Sequence, residues 1–221
     1  MNFPLCPRFQ AVLFDMDGTL LDTLSDMQGA VNHILFENGW PQRTREEIRA
    51  FVGNGAAKLM ERAIPEPIAP QRFHETLASY KDWYQAHNCV KTAPYPGIPE
   101  VLAELEKMGV KTAVVSNKPD ATTKALAEKF FPGMPALGQR DGVDPKPSPA
   151  LVAQALSDLG VRPENAVYVG DSEVDVATAR NAELPLIAVS WGFRGRAELE
   201  AAGADYVVDT QGELAALILG E

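Results

Sequence analysis

The stretch "VLFDMDGTLLD", Val12 to Asp22, sets two aspartates two residues apart directly after an apolar run and follows them with Gly18, Thr19 and Leu20. An apolar run with this ending reads as a buried strand that emerges at a polar edge. In an extended chain successive side chains alternate, so Asp15 and Asp17 are expected to project to the same side and to repel each other unless a positive charge is supplied. The remainder of the chain must contain that counter-charge.

Other short runs rich in valine and isoleucine recur: "KTAVVS" at 111–116, "AVYVG" at 166–170, "LIAVS" at 186–190 and "DYVV" at 205–208, with a short strand expected near Pro135–Gly138. From Tyr95 onward they alternate with helical patterns. Pro96 to Met108 carries Val101, Leu102, Leu105 and Met108 on one face and stops at Gly109, and Pro149 to Leu159 repeats the design before Gly160. Strand, helix, strand in this rhythm predicts a doubly wound α/β domain with a parallel sheet and helices on both faces, built from residues 1–21 and 93–221.

Residues 22–92 contain more chain than a crossover needs and little that reads as strand. Leu24, Met27, Val31, Ile34 and Leu35 form one helical stripe, and Phe73, Leu77, Tyr80 and Tyr84 another. Between them "FVGNGAAKLMERAI" reads as a glycine-containing loop feeding a helix. An inserted helical cap is therefore expected over the carboxyl edge of the sheet, where open α/β sheets place their ligands. Asp22 falls at the hinge into this cap or at the start of its first helix.

Three further polar groups fall at strand ends. Asp171, Ser172 and Asp175 follow "AVYVG" in "GDSEVD"; Ser116 and Asn117 follow "KTAVV"; Lys146 sits in "DPKPSP". With Asp15 and Asp17 they bring four carboxylates, a hydroxyl, an amide and an ammonium to one edge. Clustered carboxylates require cations, and an all-oxygen set without histidine or cysteine favours Mg2+ over zinc. Such a site suits phosphoryl transfer: one carboxylate attacks phosphorus, the metal and lysine offset the phosphoryl charge, and a second carboxyl serves as acid and then base.

Bulk composition agrees. The chain has 221 residues, 46% hydrophobic and 23% charged, and a formal charge of -10. That charge repels phosphate backbones and anionic surfaces, so neither nucleic acid nor membrane is an expected partner. The apolar runs are shorter than a membrane helix requires, and "MNFPLCPRFQ" does not read as a signal peptide. Cys6 and Cys89 lie far apart and read as idle thiols. A cytoplasmic enzyme, monomer or homodimer, acting on a small phosphorylated metabolite is expected.

In order, "DMDGTL", "SN", "KP" and "GDSEVD" resemble the four motifs of the haloacid dehalogenase superfamily of phosphohydrolases, and the insertion resembles the small helical cap of some members. The resemblance implies Asp15 as nucleophile and metal ligand. It implies Asp17 as acid/base, with its backbone carbonyl on the metal, and Asp171 as a direct ligand with Asp175 behind it. Ser116 and Asn117 are then phosphoryl-binding, and Lys146 bridges phosphate and Asp15. Lys118 in "SNKP" is a rival for the catalytic ammonium; the motif order favours Lys146 and leaves Lys118 as a second phosphate contact. "FVGNGAAKLMERAI", "YPGIPEVLAELEKMGVKTAVVSNKP" and "GQRDGVDPKPSP" are most similar to phosphoglycolate phosphatases. In the cap loop, Gly53, Asn54 and Gly55 would offer backbone amides to an anionic substrate tail, and Lys58 or Arg62 would add charge.

The second aspartate argues against a dehalogenase. A phosphoryl-transferring mutase similar to β-phosphoglucomutase shares the same four motifs, and a non-enzymatic phospho-accepting or binding module is the reading from another class. The histidines at 33, 74 and 87 lie on the cap helices without ligand spacing and read as surface or packing residues. Trp191, Phe193 and Arg194 read equally as mouth of the site or as a packed corner.

Overall fold

The structure is a computed structural model, and it describes residues 8–220. Cys6 lies outside them. The chain divides into two compact units, Met1–Leu21 with Pro94–Glu221, and Asp22–Ala93.

The first unit is a six-stranded parallel sheet. Its strands are β1 (Ala11–Phe14), β4 (Lys111–Pro119), β5 (Ala136–Gln139), β6 (Ala166–Gly170), β7 (Leu186–Val189) and β8 (Tyr206–Val208), in the spatial order β5-β4-β1-β6-β7-β8. The two-residue strands β2 (Leu21–Asp22) and β3 (Ala93–Pro94), at the two places where the chain passes between units, pair with each other. Strand β1 lies between β4 and β6, with Leu13 opposite Ala113 on one side and Tyr168 on the other. Strand order reverses at β1, so the crevice of the sheet opens at the carboxyl ends of β1, β4 and β6.

All four residues of β1 and all five of β6 are buried, as a strand covered on both faces requires. Alternation divides them between two cores. Ala11, Leu13, Ala113, Val115, Ala166 and Tyr168 join a cluster with α7 (Ala150–Leu159), α8 (Glu173–Asn181) and α9 (Arg196–Ala201). The alternate positions Val12, Phe14, Val114, Val167 and Val169 are also buried, and α5 (Ile98–Lys107) and α10 (Gln211–Leu219) lie outside that cluster, packed on each other and on β4 and β8. Helix α6 (Asp120–Phe130) packs on β4 and β5. The glycine stop after α7 is Gly160 at φ 64°, a left-handed C-cap.

The second unit is helical: α1 (Leu24–Glu37), α2 (Arg45–Phe51), α3 (Gly55–Ala63) and α4 (Pro70–His87). The α1 stripe is buried as the 3.6-residue period predicts. On α4 Tyr80 and Tyr84 are buried, while Phe73 and Leu77 are only half-buried. Helix α2 was not anticipated, although Thr44 and Glu47 form a capping box whose T-x-x-E spacing is visible in the sequence. His33 and His87 stack on the two faces of Trp83, which makes them packing residues. Asp26 is a buried carboxylate that accepts from the amides of Val90, Lys91 and Thr92 and from the Thr92 hydroxyl, at 2.8–3.0 Å. It ties the start of α1 to the chain leaving the unit.

Candidate active site

Strand β1 ends at Phe14, and the Asp15 amide extends its ladder by one bond, to Val169 O at 2.8 Å. The chain then turns: the amides of Leu20 and Leu21 both bond Met16 O, and Gly18 N bonds Leu21 O. The expectation that Asp15 and Asp17 project from one extended segment is thereby corrected. They leave the strand end on either side of the first step of a turn, and each meets a different lysine.

Lys146 Nζ lies 2.8 Å from Asp15 Oδ1, 2.8 Å from Asp175 Oδ1 and 3.0 Å from the Tyr168 hydroxyl. The ammonium is buried, with 3% of the side chain exposed. Burial by itself would lower its pKa, but Asp15 and Asp175 outweigh that and hold it well above the ordinary lysine value. It therefore remains charged. Tyr168 belongs to the apolar cluster below the sheet and carries its hydroxyl up to the ammonium; burial pushes its own pKa well up. A tyrosine inside "AVYVG" is the one polar tip in a strand whose other side chains are apolar, and that contrast was a readable signal.

Asn117 clamps the Lys146 backbone from both directions. Its amide donates to Lys146 O at 3.0 Å, and Lys146 N donates to its oxygen at 2.7 Å. The Asn117 side chain thus fixes the lysine loop. Ser116 is buried at the end of the same strand and its oxygen accepts from Lys118 N at 3.2 Å. Lys118, expected as a second phosphate contact, places Nζ 2.9 Å from both carboxylate oxygens of Asp17.

Asp171 and Asp175 flank the start of α8. Asp175 Oδ2 accepts from the Ser172 hydroxyl at 2.6 Å and from the amides of Ser172 and Asp171, which completes a capping box. Asp171 accepts from the Thr19 hydroxyl at 3.2 Å and from Phe193 N at 2.6 Å. Trp191 Nε1 in turn donates to Thr19 O at 3.1 Å. The "SWGF" turn is therefore a support for Asp171, and Phe193 acts through its backbone while its ring is buried. Thr19 was not anticipated as a site residue, and Phe193, read as mouth of the site or packed corner, enters through its backbone amide. A side chain at Gly18 would overlap the Asp171 carboxylate, so the glycine of "DMDGTL" is required by a residue far along the chain as well as by its φ of 93°.

One carboxylate oxygen from each of Asp15, Asp171 and Asp175 lies within 4.8 Å of the others, and all three residues are buried. The Asp15 pKa is raised to about 7, chiefly by burial; Lys146 opposes the rise, and Asp175 adds more to it than Asp17. Burial and then Asp175 and Asp15 likewise raise Asp171 well above the carboxylate range. Repulsion within the Asp15–Asp17 pair is thus a lesser influence than burial. Converging buried carboxyls, of which Asp15 and Asp171 resist ionisation, form a donor set that a hard divalent cation fits, since such an ion would favour the ionised forms.

In the helical unit Asn54 precedes α3, with Gly53 at φ 118° and Gly55 at φ 82°. Arg62 donates to Asn54 Oδ1 at 2.9 Å and to Phe51 O at 2.7 Å, and Lys58 pairs with Glu61 at 2.6 Å. The two cations are engaged within their own helix and loop. Asp22 accepts from Leu24 N at 3.2 Å and pairs with Arg45, as a residue at the start of α1.

Converging carboxylates and a buried lysine at the switch point of a doubly wound sheet suit phosphoryl chemistry, and comparison with known proteins gives the family. Residues 12–189 match the haloacid dehalogenase-like hydrolases, and the chain belongs to that family. It is 35% identical over 205 residues to a phosphoglycolate phosphatase of Caulobacter vibrioides, covering 89% of this chain and 85% of that one. It is 33% identical to an N-acetylmuramic acid 6-phosphate phosphatase of Pseudomonas aeruginosa, covering 94% and 93%. A crystal structure from Lactobacillus delbrueckii subsp. bulgaricus, called a candidate phosphoglycolate phosphatase, superimposes with a TM-score of 0.90 at 38% identity, covering 96% of this chain and 99% of that one. Among the described residues no helix is long and apolar enough to cross a membrane.

Proposed function

We propose that the protein is a Mg2+-dependent phosphatase that hydrolyses a small phosphate monoester through an aspartyl phosphate, with 2-phosphoglycolate as the leading substrate. The observation that carries this reading is Asp15, a buried carboxylate in hydrogen-bond contact with Lys146 and converging with Asp171 and Asp175. Asp15 attacks phosphorus and the ester P–O bond breaks. Asp17 donates a proton to the departing alkoxide and then accepts one from the water that attacks the phosphoaspartate, which releases inorganic phosphate and restores Asp15.

Lys146 holds Asp15 in place and lowers the cost of its ionisation, and Ser116 contacts the phosphoryl oxygens. Asp15, Asp171 and the Asp17 carbonyl would hold the metal, with Asp175 supporting them; the ion when bound would neutralise charge developing on the phosphoryl oxygens. Asn117 fixes Lys146 and stands with Ser116 as a phosphoryl contact. Gly53, Asn54, Gly55 and Lys58 stand as candidate contacts to the rest of the substrate.

The phosphoglycolate reading draws support from the relatives that carry that name. The relative named for N-acetylmuramic acid 6-phosphate, of similar identity, makes the substrate a matter for direct test. The decisive measurement is Mg2+-dependent phosphate release from a panel of phosphoglycolate, sugar phosphates, nucleotides and pyrophosphate, with Asp15→Asn as control. Phosphate release that persists at the wild-type rate in Asp15→Asn overturns the nucleophile assignment. A strong preference for another ester overturns only the choice of substrate.

A further inference from the structure

We propose that Lys118 selects the substrate, binding a carboxylate that lies one carbon from the ester oxygen; this rests on the phosphatase reading above. Lys118 stands near the end of β4, and its Nζ lies 2.9 Å from both oxygens of Asp17. Only 3% of its side chain is exposed, against 15% for Asp17. A cation so removed from water interacts strongly with any anion brought beside it, and it stands adjacent to the acid/base and separate from the Lys146 ammonium.

The distances define which anion fits. In the reaction Asp17 hydrogen-bonds the ester oxygen, and with bonds of about 2.7–2.9 Å on either side of its carboxyl group the Lys118 ammonium lies roughly 5 Å from that oxygen. In an ester of a 2-hydroxy acid, two carbons separate the ester oxygen from the carboxylate oxygens, a span of about 3 Å. That span and one charge-assisted hydrogen bond of about 2.8 Å, set at an angle to each other, close the distance of roughly 5 Å, so a two-carbon acid can engage Asp17 and Lys118 together. A hydroxyl in the same place reaches equally far but brings no charge.

The test compares kcat/KM for 2-phosphoglycolate and for 2-hydroxyethyl phosphate, which differ only in the group presented to Lys118, in the wild type, Lys118→Gln and Lys118→Arg. Loss of the ammonium disturbs Asp17 with either ester, so the ratio of the two values isolates direct recognition. The wild type is expected to prefer phosphoglycolate. In Lys118→Gln that preference is expected to fall by about 10–100-fold, chiefly through KM, as for loss of a hydrogen bond to a charged group, and Lys118→Arg to retain much of it.

An unchanged ratio in Lys118→Gln, or a wild type indifferent to the carboxylate, overturns the inference. A second measurement needs no variant: glycolate is expected to compete with 2-hydroxyethyl phosphate in the wild type and ethylene glycol is not, and equal inhibition by both overturns it. A wild type that hydrolyses 2-hydroxyethyl phosphate but fails these tests leaves the phosphatase reading standing. A wild type that releases phosphate from no ester in the wider panel removes both.

Discussion

Gly192 lies so close to Asp171 that a side chain at 192 would occupy the space of the aspartate's own Cβ and carboxylate. The contact joins the loop after β7 to the acidic cluster, and the next residue, Phe193, donates its amide to Asp171. Gly192→Ala is expected to displace Asp171, to lower stability by about 1–3 kcal/mol as an overpacked site does, and to weaken Mg2+ binding. Denaturant unfolding and calorimetric titration with Mg2+ check the two effects separately.

Lys146 serves two buried carboxylates at once. Lys146→Met leaves Asp15 and Asp175 without their ammonium, and breaking a buried pair from one side costs about 3–5 kcal/mol. The variant is expected to unfold at much lower denaturant and to lose phosphate release. Asp175→Asn in the same background should recover part of the stability but none of the activity, measurable as a double-mutant cycle.

The Asp15 carboxyl, at about 7 in the folded chain against 3.8 ordinarily, makes stability depend on pH in a defined direction. Between those values the folded protein binds the extra proton, so its contribution is fully present below 3.8 and is lost as pH rises to about 7. Metal-free protein is therefore expected to melt at lower temperature at pH 8 than at pH 5. A cation at the carboxylate cluster offsets this, so the Tm gain from added Mg2+ should be larger at pH 8. Equal gains at both values would contradict this account of the site.

Asp26 gathers the amides of Val90, Lys91 and Thr92 on one buried carboxylate. Asp26→Ala strands those donors and is expected to cost about 1–3 kcal/mol, by the penalty for buried groups left unsatisfied. Hydrogen exchange should show the loss first at Val90–Thr92.

Much of the fold is legible because its signals are local. Fully apolar runs at β1, β6 and β7 mark strands covered on both faces, and Gly109 and Gly160 mark helix ends. Helix α2 was missed because its seven residues, of which only Ile48 is buried, carry almost no periodicity; its start is marked by Thr44 and Glu47 instead. At the site, residue type and position after a strand suffice to nominate Asp15, Asp17, Lys146, Asp171 and Asp175. They do not reveal Thr19, since a motif threonine looks ordinary until its partner is known, nor that Phe193 acts through its backbone amide, whereas the polar tip of Tyr168 inside an apolar strand is a signal the sequence carries.

The parallel sheet, the helical insertion and an edge crowded with carboxylates that demands positive charge can all be read along the chain, and the resemblance adds Lys146 beside Asp15. The pairing of Lys118 with Asp17, and the sharing of Lys146 between Asp15 and Asp175, are set by the folded chain. Lys118 pairs with Asp17 across 101 positions of chain and Lys146 with Asp15 across 131. Alternation and helical period act over a few residues and can be read along the chain. Pairings between strand ends depend on sheet order, on the turn that separates Asp15 from Asp17, and on the Asn117 clamp that fixes the Lys146 loop. Electrostatic attraction holds at short distance inside a buried edge, so the choice between two lysines belongs to the fold.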